Sequence, residues 1–469
     1  MSQDLNAFVK KVTITDTKGK VHYLTGNNPE AQLQGISIYE SIDLNTMVAE
    51  LLVVDTAVNL IADLPIVGTE VVDIEMEAPN ISSQPYKWQF VIYGIRNRVV
   101  SKNLQLYVLD CFSVEALRNE TLRIGKVMKG KANDLVRSII TDTLDSKKKV
   151  LDEACGYDIK YIPSLQRPFD AVNYFLPRSV STNVKLPSQG TTSSLSTSSS
   201  TSVAGGSTDA ATSQSANTTI TGTAGYMFFE TYDGYVFKSI DTLMKENQNK
   251  HKEYIYGFAQ TDSSTSQTNS YLILNYSFGS QENILKKMRT GVYSSMISFF
   301  NPSTLEYQEY FFDLSKEYPK MIHLGKDSDL PENVKKLAQY PSRIMLQIYD
   351  HETYYNGQSI ADPAKSSSGT AFPDFSKQWM AQSISRSMIL RNQILNITIP
   401  INFNIRAGDK LNIKLPNQSV QSKREKQKYD LVNSGYYMVS KISYDINRDP
   451  DKGLIAVCNL ELIRDNLGS

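Results

Sequence analysis

The chain has 469 residues, which predicts about three domains of ordinary size, and its 41% hydrophobic content is enough to bury a sizeable core. Its 49 basic residues balance its 49 acidic residues, which argues against a general binder of nucleic acid or anionic membrane. The N-terminus, MSQDLNAFVKKV, has no apolar leader core, and no run of about 18 apolar residues occurs anywhere. We therefore expect synthesis in a cytoplasm, without secretion or membrane insertion.

The first segment, about 5–112, has the pattern of short strands. VTITDTKGKVHYL alternates apolar and polar residues around Lys18-Gly19, which predicts a hairpin. Further strand-like runs are GISIYESI, TMVAELLVVD, VVDIEME, YKWQFVIYGIRNRVV and LQLYVLDCF. With no strong helix between them, these runs predict a closed antiparallel barrel or a sandwich.

The period of the apolar residues changes from about residue 113. Six apolar residues have the spacing of one helix face: Ala132, Leu135, Val136, Ile139, Ile140 and Leu144. A second short helix is predicted to begin near Pro168, because proline suits the first turn. A third helix is predicted over about 238–246. These patterns indicate an α+β middle region.

Residues 188–224 are nearly all Ser, Thr, Gly and Ala, with Asp209 the only charge. Such a stretch buries too little apolar surface to offset its ordering entropy, so we predict a flexible surface insertion. The flanking segments RPFDAVNYFLPRSVS and GYMFFETYDGYVFKSIDTLM should then be contiguous in the fold. GYMFFE and GYVFKS predict a hairpin around Asp233-Gly234.

The rest of the chain returns to strands, at 271–278 and 291–314. A polar loop at 351–375 and a helix at about 376–392 come next. Four further strand-like runs end the chain: ILNITIPINF, AGDKLNIKLP, GYYMVSKISYDI and GLIAVCNLELIRD.

Three of these last runs resemble three runs of the first segment. GTEVVDIEM corresponds to AGDKLNIKL, with the glycines one residue out of register, WQFVIYGIRNR to YYMVSKISYDI, and LQLYVLDCFS to IAVCNLELIRD. Both copies end in a strand that contains a cysteine, Cys111 or Cys458. The pattern favours two homologous barrels, and three chains on a three-fold axis would present six similar barrels.

Five stretches together resemble the baseplate central hub proteins of T-even-like contractile-tailed phages, which are related to the hub part of type VI secretion spike proteins. They are GISIYESIDLNTMVAELLVVD with PIVGTEVVDIEM, RPFDAVNYFLPRSVS, GYMFFETYDGYVFKSIDTLM, QENILKKMRTGVYSSMISFFNPSTLEY, and ILNITIPINFNIRAGDKLNIKLP with its following strands. They span nearly the whole chain in the expected order. The insertion at 188–224 and the loop at 351–375 depart from the common pattern.

The resemblance implies a homotrimer in which six barrels form a ring that continues the tail tube. It implies a separate trimeric central spike protein below, since this chain ends after its last strand, and a tail tube or tube-initiator protein above. Other baseplate proteins surround the ring, and DNA meets it only in transit. The implied location is the virion tail baseplate, after assembly in the host cytoplasm.

The predicted fold class is α+β, predominantly β, with two homologous antiparallel β-barrel tube-like domains flanking an inserted α+β region. The predicted divisions are a first barrel, an outer α+β region containing the insertion, strands completing the second barrel and an outer domain, the polar loop, and the second barrel. They are placed at 1–112, 113–270, 271–350, 351–375 and 376–469.

No enzymatic chemistry, cofactor or metal is predicted. GxSxG, a P-loop and GxGxxG are absent from the sequence. Cys111, Cys155 and Cys458 lack CxxC spacing, so neither a disulfide framework nor a zinc site is predicted, and Cys111 and Cys458 are interpreted as buried thiols. His351, the strongest metal-site candidate among the histidines, is interpreted as part of a polar loop.

Two charged groups are candidate functional residues. Glu70, Asp73, Glu75 and Glu77 fall near one strand, and if it lines the ring they would repel DNA phosphates. Lys423, Arg424, Lys426 and Lys428 form a basic run that is either a solvated hairpin loop or a docking loop for an acidic baseplate neighbour. Two other functions stay open: a receptor- or glycan-binding tail protein, which the tyrosine content and long loops favour, and a peptidoglycan-degrading tail enzyme.

Overall fold

The structure is a computed structural model. It describes residues 8–26, 31–56, 60, 64, 66–77, 84–101, 104–156, 158–182, 223–245, 253–256, 271–279, 283–302, 305–325, 330–348, 374–417, 429–449 and 453–466.

Strands make up the largest part of the described chain. The strands are β1 (Val9–Thr15), β2 (Val21–Tyr23), β3 (Gln32–Ser41), β4 (Val48–Thr56), β5 (Val71–Met76), β6 (Tyr86–Ser101), β7 (Leu104–Phe112), β8 (Met128–Lys131), β9 (Val150–Asp152), β10 (Asp158–Tyr161), β11 (Val180–Ser181), β12 (Thr223–Ala224), β13 (Tyr226–Thr231), β14 (Gly234–Ser239), β15 (Tyr254–Tyr256), β16 (Leu272–Ile273), β17 (Asn275–Phe278), β18 (Ser294–Asn301), β19 (Glu306–Asp313), β20 (Arg343–Ile348), β21 (Gln393–Pro400), β22 (Lys410–Lys414), β23 (Gly435–Asp449) and β24 (Gly453–Arg464).

The helices are short and lie mainly in the middle of the chain. They are α1 (Val114–Thr121), α2 (Ala132–Ser138), which continues as a π-helix (Ile139–Thr143), α3 (Pro168–Phe175), α4 (Ile240–Lys245), α5 (Ile284–Thr290), α6 (Leu314–Glu317), α7 (Glu332–Leu337) and α8 (Asp374–Ile389), with 3₁₀ turns at Leu176–Arg178 and Tyr318–Lys320. The predominantly β, α+β fold class is confirmed.

One large sheet contains strands from both ends of the chain. Over the described residues it has 14 strands, and its main path runs β16-β15-β22-β23-β3-β4-β7-β6-β5-β1-β2. The remaining three strands branch from it, since β24 pairs with β23, β21 with β24, and β17 with β21. One continuous apolar core lies behind both halves of the sheet. β15 lies within the predicted outer region, yet it pairs with β22 of the main sheet.

The first hairpin forms where its pattern predicts. β1 pairs antiparallel with β2, and Gly19 takes a left-handed φ of 83° in the turn between them. The carboxylate of Asp16 accepts hydrogen bonds from the backbone N–H groups of Lys18 and Lys20, at 2.8 and 2.7 Å. An aspartate that caps its own turn fixes the loop and therefore the strand register.

The sheet repeats one five-strand unit. In the first repeat the antiparallel order is β3-β4-β7-β6-β5, and in the second it is β17-β21-β24-β23-β22. Both long strands carry a β-bulge at the same place, between Ile92 and Gly94 in β6 and between Val439 and Lys441 in β23. The bulges define which residues of the two long strands correspond. Ile92 of β6 corresponds to Val439 of β23, 347 positions later in the sequence, because Ile92 pairs with Cys111 while Val439 pairs with the equivalent Leu462.

This register corrects one detail of the repeat expected from sequence. The pairing of WQFVIYGIRNR with YYMVSKISYDI is one residue out, since the bulges align Trp88 with Gly435. The expected alignment of LQLYVLDCFS with IAVCNLELIRD agrees with the register, and in it the two cysteines are not equivalent, because Cys111 pairs with Ile92 whereas Cys458 pairs with Tyr444, beyond the bulge. An error of one residue in aligning two apolar strands is hard to detect from sequence identity alone, whereas a bulge fixes the strand register.

A single strand joins the two repeats. β23 pairs with β24 along one edge, while its other edge pairs first with β22 and then, from Lys441 to Asn447, with β3 of the first repeat. β3 therefore continues the sheet where β22 stops. The two repeats share hydrogen bonds as well as an apolar core.

The middle region forms a separate small core beside the sheet. β13 and β14 form the predicted hairpin around Asp233-Gly234, β9 adds to it in parallel, and β10 pairs with β8. β11 pairs with β12, so the two flanks of the Ser/Thr-rich stretch meet as predicted. Helices α2 and α3 supply apolar residues to this core.

A three-stranded sheet forms the remaining unit. β18 pairs antiparallel with β19 and parallel with β20, and helix α8 contributes Ala381 and Ile389 to its core. The 271–350 stretch therefore divides between two sheets, since β16 and β17 belong to the main sheet. The domain boundaries drawn from sequence remain predictions.

Candidate assembly surface

A groove lies over the junction of the two repeats. It has a volume of about 740 Å³ and is lined by residues of β3, β4, β17, β21, β23 and β24. The strands alternate here, so that Cys458 and Leu460 are buried in the core while Asn459 is exposed in the groove. Its walls carry both apolar and polar side chains, and the short polar ones include Asn275, Ser277, Asn396, Thr398 and Ser443.

The charges on this face are paired with one another. Lys441 lies 2.8 Å from Glu461, and Arg96 contacts both Glu50 and Asp110, the latter at 2.8 Å. Burial lowers the pKa of Arg96, but the two carboxylates raise it more, so that it lies above its usual value. With Asp445, these side chains place four acids against two bases, which leaves the face acidic.

Beneath the groove, Glu40 ties β3 to the second repeat and to the middle region. Its carboxylate is 1% exposed and accepts hydrogen bonds from the backbone N–H groups of Tyr232, at 2.9 Å, and Ala407, at 3.1 Å. Burial raises the pKa of Glu40 to about 7 from 4.5, although Arg406 and both N–H groups lower it. Three parts of the chain therefore meet at one buried carboxylate.

Arg406 completes this junction. Its guanidinium donates to Asp233 at 3.3 Å and lies 4.8 Å from the ring centre of Tyr232. It also donates to the hydroxyl of Tyr444, at 3.3 Å. The neighbouring aromatic cluster packs Tyr86 and Trp88 of β6 against Phe403 of the second repeat.

A second buried charge cluster fixes the three-stranded unit to the end of the main sheet. Arg386 of α8 lies 2.7 Å from Asp241 and 3.3 Å from Asp465, and all three side chains are at most 1% exposed. His323 faces Asp465 at 2.7 Å and the carbonyl oxygen of Tyr318 at 2.9 Å. Burial raises the pKa of Asp465, but the hydrogen bond from His323 and the charge of Arg386 lower it further, below its usual range.

The predicted acidic strand is β5 and its flanks. Asp73, Glu75 and Glu77 are half-buried on the polar face and lie near Gln89, Lys87 and Lys10, respectively. Glu70 does not join them. It is 1% exposed, and its carboxylate accepts from the backbone N–H groups of 67–69 in the turn before β5.

β5 is separated from the groove strands by β6 and β7, so the groove carries a different acidic set. That Asp73, Glu75 and Glu77 face a channel stays a prediction. The basic run Lys423, Arg424, Lys426 and Lys428 lies outside the described residues, as does His351.

The three cysteines are buried free thiols. Burial raises the pKa of Cys155 to about 11 and that of Cys458 to about 12, and it raises the pKa of Cys111 as well. Within the described ranges, no group of three His, Cys, Asp or Glu side chains could hold a metal ion. No helix in the described part of the chain is long and apolar enough to cross a membrane.

Sequence reasoning missed the charged residues at both junctions. Glu40, Arg406, Arg386 and Asp465 lie in or beside strand-like or helical runs, and a single sequence does not show which partner each one meets. One signal was present in the sequence. In the turn before β5, and in the turn before its counterpart β22, an acidic residue stands three residues after the residue whose backbone N–H it accepts. Asp409 accepts from the backbone N–H of Arg406 at 2.9 Å, as Glu70 does from that of Val67 at 2.9 Å.

The fold has counterparts among solved structures. The 43 kDa tail protein of prophage MuSo2 from Shewanella oneidensis superposes with a TM-score of 0.50 at 8% identity, over 97% of this chain and 99% of that chain. A tail protein from Neisseria meningitidis MC58 gives 0.48 at 10% identity, over 97% and 96%. A type VI secretion component from E. coli, itself described as similar to T4 bacteriophage tail proteins, gives 0.41 at 6% identity, over 97% and 76%.

No protein-family model matches the sequence, and no curated protein sequence matches it. At under 25% identity, the MuSo2 match shows a shared fold. The resemblance to contractile-tail hub proteins that the sequence indicates is confirmed at the level of that fold.

Proposed function

We propose that this protein is the structural hub of a phage tail baseplate and carries no catalytic activity. Three chains form a ring whose six barrels join a six-fold tail tube to a three-fold central spike and leave a channel for DNA. The observation that carries the proposal is the duplicated five-strand unit, joined within one sheet by the pairing of β23 with β3. A chain with two similar units is what a trimer needs to match six-fold symmetry.

The strand pairings support a tube-like barrel for the second repeat. From β23 the pairings run through β24 and β21 to β17, and from β22 through β15 to β16. β16 and β17 are separated by Leu274 alone, whose N–H donates to the carbonyl of Thr398 in β21 at 2.8 Å. The path thus returns towards its start, as closure requires.

The groove supports a channel wall. It spans strands of both repeats, so that in a ring it would recur on each chain. Short polar side chains and a small excess of acid give DNA phosphates no cluster of bases to bind. A wall of this kind lets DNA pass, whereas bound phosphates would have to be released.

The proposed neighbours are those of a hub: a separate trimeric spike protein, the tail tube or its initiator, and other baseplate proteins. The MuSo2 protein, which shares this fold, is itself a tail protein. The proposed location is the virion tail.

Light scattering of the purified chain tests the trimer. The chain mass is 52.7 kDa, and we expect a particle of three times that mass, alone or with the spike protein. A chain that stays monomeric in both conditions contradicts the proposal. A zymogram that clears peptidoglycan would contradict the absence of catalytic activity.

A further inference from the structure

The junction between the two repeats is a template for a contact between chains. Inside the chain, the edge of β23 from Lys441 to Asn447 pairs antiparallel with β3. The repeat makes β6 the counterpart of β23, and it makes β17 the counterpart of β3. Each chain therefore has one further edge of each kind.

Both counterpart edges are open within the described residues. β5 pairs with β6 from Tyr86 to Val91, the N–H of Ile92 donates to the carbonyl oxygen of Glu70 at 2.9 Å, and beyond that point the described pairings of β6 are to β7 alone. β17 pairs with β21 and with no other described strand. An open sheet edge offers a row of backbone donors and acceptors to another strand.

The side chains at these edges show what a partner would cover. At the internal junction, Ile446 of β23 and Ile38 of β3 are each 0% exposed. Their counterparts are Val100 of β6, 60% exposed, and Phe278 of β17, 40% exposed. Apolar residues that one copy of the junction buries are thus left in solvent at the other copy.

We infer that β6 of one chain pairs antiparallel with β17 of the next chain, in the register of the internal junction; this rests on the proposed trimer. The internal pairs Ser443–Tyr39, Asp445–Ser37 and Asn447–Gly35 define that register. Transferred by the repeat, they become Arg96–Gly279, Val99–Ser277 and Ser101–Asn275.

A second bulge in β6 sets these assignments. Its pairing with β7 shifts by one residue between Arg96 and Val99, and Asn97 there has a φ of 52°. Val99 pairs with Leu106, the counterpart of Val457, which pairs with Asp445 in the second repeat. Val99 is therefore the counterpart of Asp445, and the extra residue lies in the bulge.

The contact is heterologous, because β6 and β17 are different surfaces of the chain. Heterologous contacts close into a ring when the rotation closes. Three chains then alternate first and second repeats around the ring, joined three times within chains and three times between them. The groove over the internal junction recurs, on this inference, over each junction between chains.

Disulfide trapping in the full chain tests the register. The variant carries Val99→Cys and Ser277→Cys, both exposed positions whose Cα atoms would lie within disulfide reach across an antiparallel pair. Mild oxidation should convert most of the chain into covalent dimers and closed covalent trimers on a non-reducing gel. The native thiols are buried and should not contribute.

Two matched variants control the result. Val99→Cys with Phe278→Cys moves one cysteine by a residue, to the other face of the strand, and should give little cross-linking. Ser37→Cys with Asp445→Cys is the internal counterpart and should form a disulfide within one chain, without a change in mass.

The outcomes separate this inference from the proposed function. Trimers that cross-link through Val99 and Ser277, and not through Val99 and Phe278, support it. Trimers by light scattering that fail to cross-link, or that cross-link equally at both pairs, overturn the register and leave the hub function standing. A monomer overturns the proposed function and the inference with it.

Discussion

Buried charged side chains hold the parts of this molecule together. Glu40 accepts backbone N–H groups from two distant segments, at Tyr232 and Ala407. A buried acceptor that satisfies two backbone donors makes the position of those segments specific, because any shift leaves a donor unpaired. Burial nevertheless disfavours the ionised form of Glu40, and the resulting dependence of stability on pH can be measured.

Glu40 should make stability depend on pH. Burial raises its pKa from 4.5 to about 7, so the stability it contributes is fully present below pH 4.5 and is lost as the pH rises through about 7. The shift corresponds to about 3 kcal/mol. In Glu40→Gln, which cannot ionise, the unfolding temperature should fall less over this range than in the native chain.

The comparison is made by calorimetry between pH 4.5 and 7. Glu40→Gln should also lower stability uniformly, since an amide offers one acceptor oxygen to two N–H groups. The native chain, measured under the same conditions, is the control. An unchanged slope in Glu40→Gln would refute the assignment.

Arg386 should matter far more than a surface arginine. Arg386→Leu leaves Asp241 and Asp465 buried with fewer partners, which costs about 3–5 kcal/mol. Arg391→Leu removes a more exposed pair with Asp43 and should cost about 1 kcal/mol or less. Thermal unfolding measures both, and similar costs would show that the buried cluster does not hold the α8 unit to the sheet.

At the scale of elements, bulges and capped turns carry the repeat. The strand turns at Gly19 and Gly234 follow from local chemistry, since both positions need a positive φ, and the sequence predicts both hairpins. The alignment of β6 with its counterpart β23 could not be predicted from the sequence, because the position of a bulge depends on the partner strand. The pairing of β23 with β3 could not be predicted either, since it joins segments some 400 residues apart.

The candidate site divides in the same way. Alternation predicted the polar face of Asp73, Glu75 and Glu77, since the side-chain period of a strand is two residues. The capping role of Glu70 depends on the turn geometry, and the groove depends on six strands from distant parts of the chain. Patterns along the chain therefore predict elements, whereas contacts between elements decide the surface.

Removal of the Ser/Thr-rich stretch should leave the fold intact. β11 and β12 pair directly, so its two ends lie side by side. Replacing residues 185–220 by a Gly/Ser linker of about four residues suits a hairpin loop. It should raise stability by up to about 2 kcal/mol, because a shorter loop loses less entropy on closure.

Thermal unfolding and light scattering would check the shortened chain. A version with the same stretch in shuffled order should behave as the native chain does. A shortened chain that loses stability or its oligomeric state would give that stretch a structural role.

At the scale of the whole molecule, the proposed function has three chains present six similar units, because each chain contains the repeat twice. The groove would then line a closed channel, and this has a topological consequence. Lysines placed in the groove would hold linear DNA that threads the ring, whereas covalently closed circular DNA cannot enter.

Asn275→Lys, Asn396→Lys and Asn459→Lys together provide that test, since all three positions are exposed in the groove. At low salt, a mobility-shift assay should show binding of linear DNA and little binding of a closed circle of the same sequence. Asp73→Lys, Glu75→Lys and Glu77→Lys form the matched set on β5. Equal binding of both DNA forms by a set would place its residues outside the channel.

Electron microscopy of the isolated particle tests the central claim most directly. Viewed down its axis, the account predicts a ring of six similar densities around an open centre, with three further densities outside it for the middle regions. A trimer with three inner densities, or with a filled centre, would contradict the account.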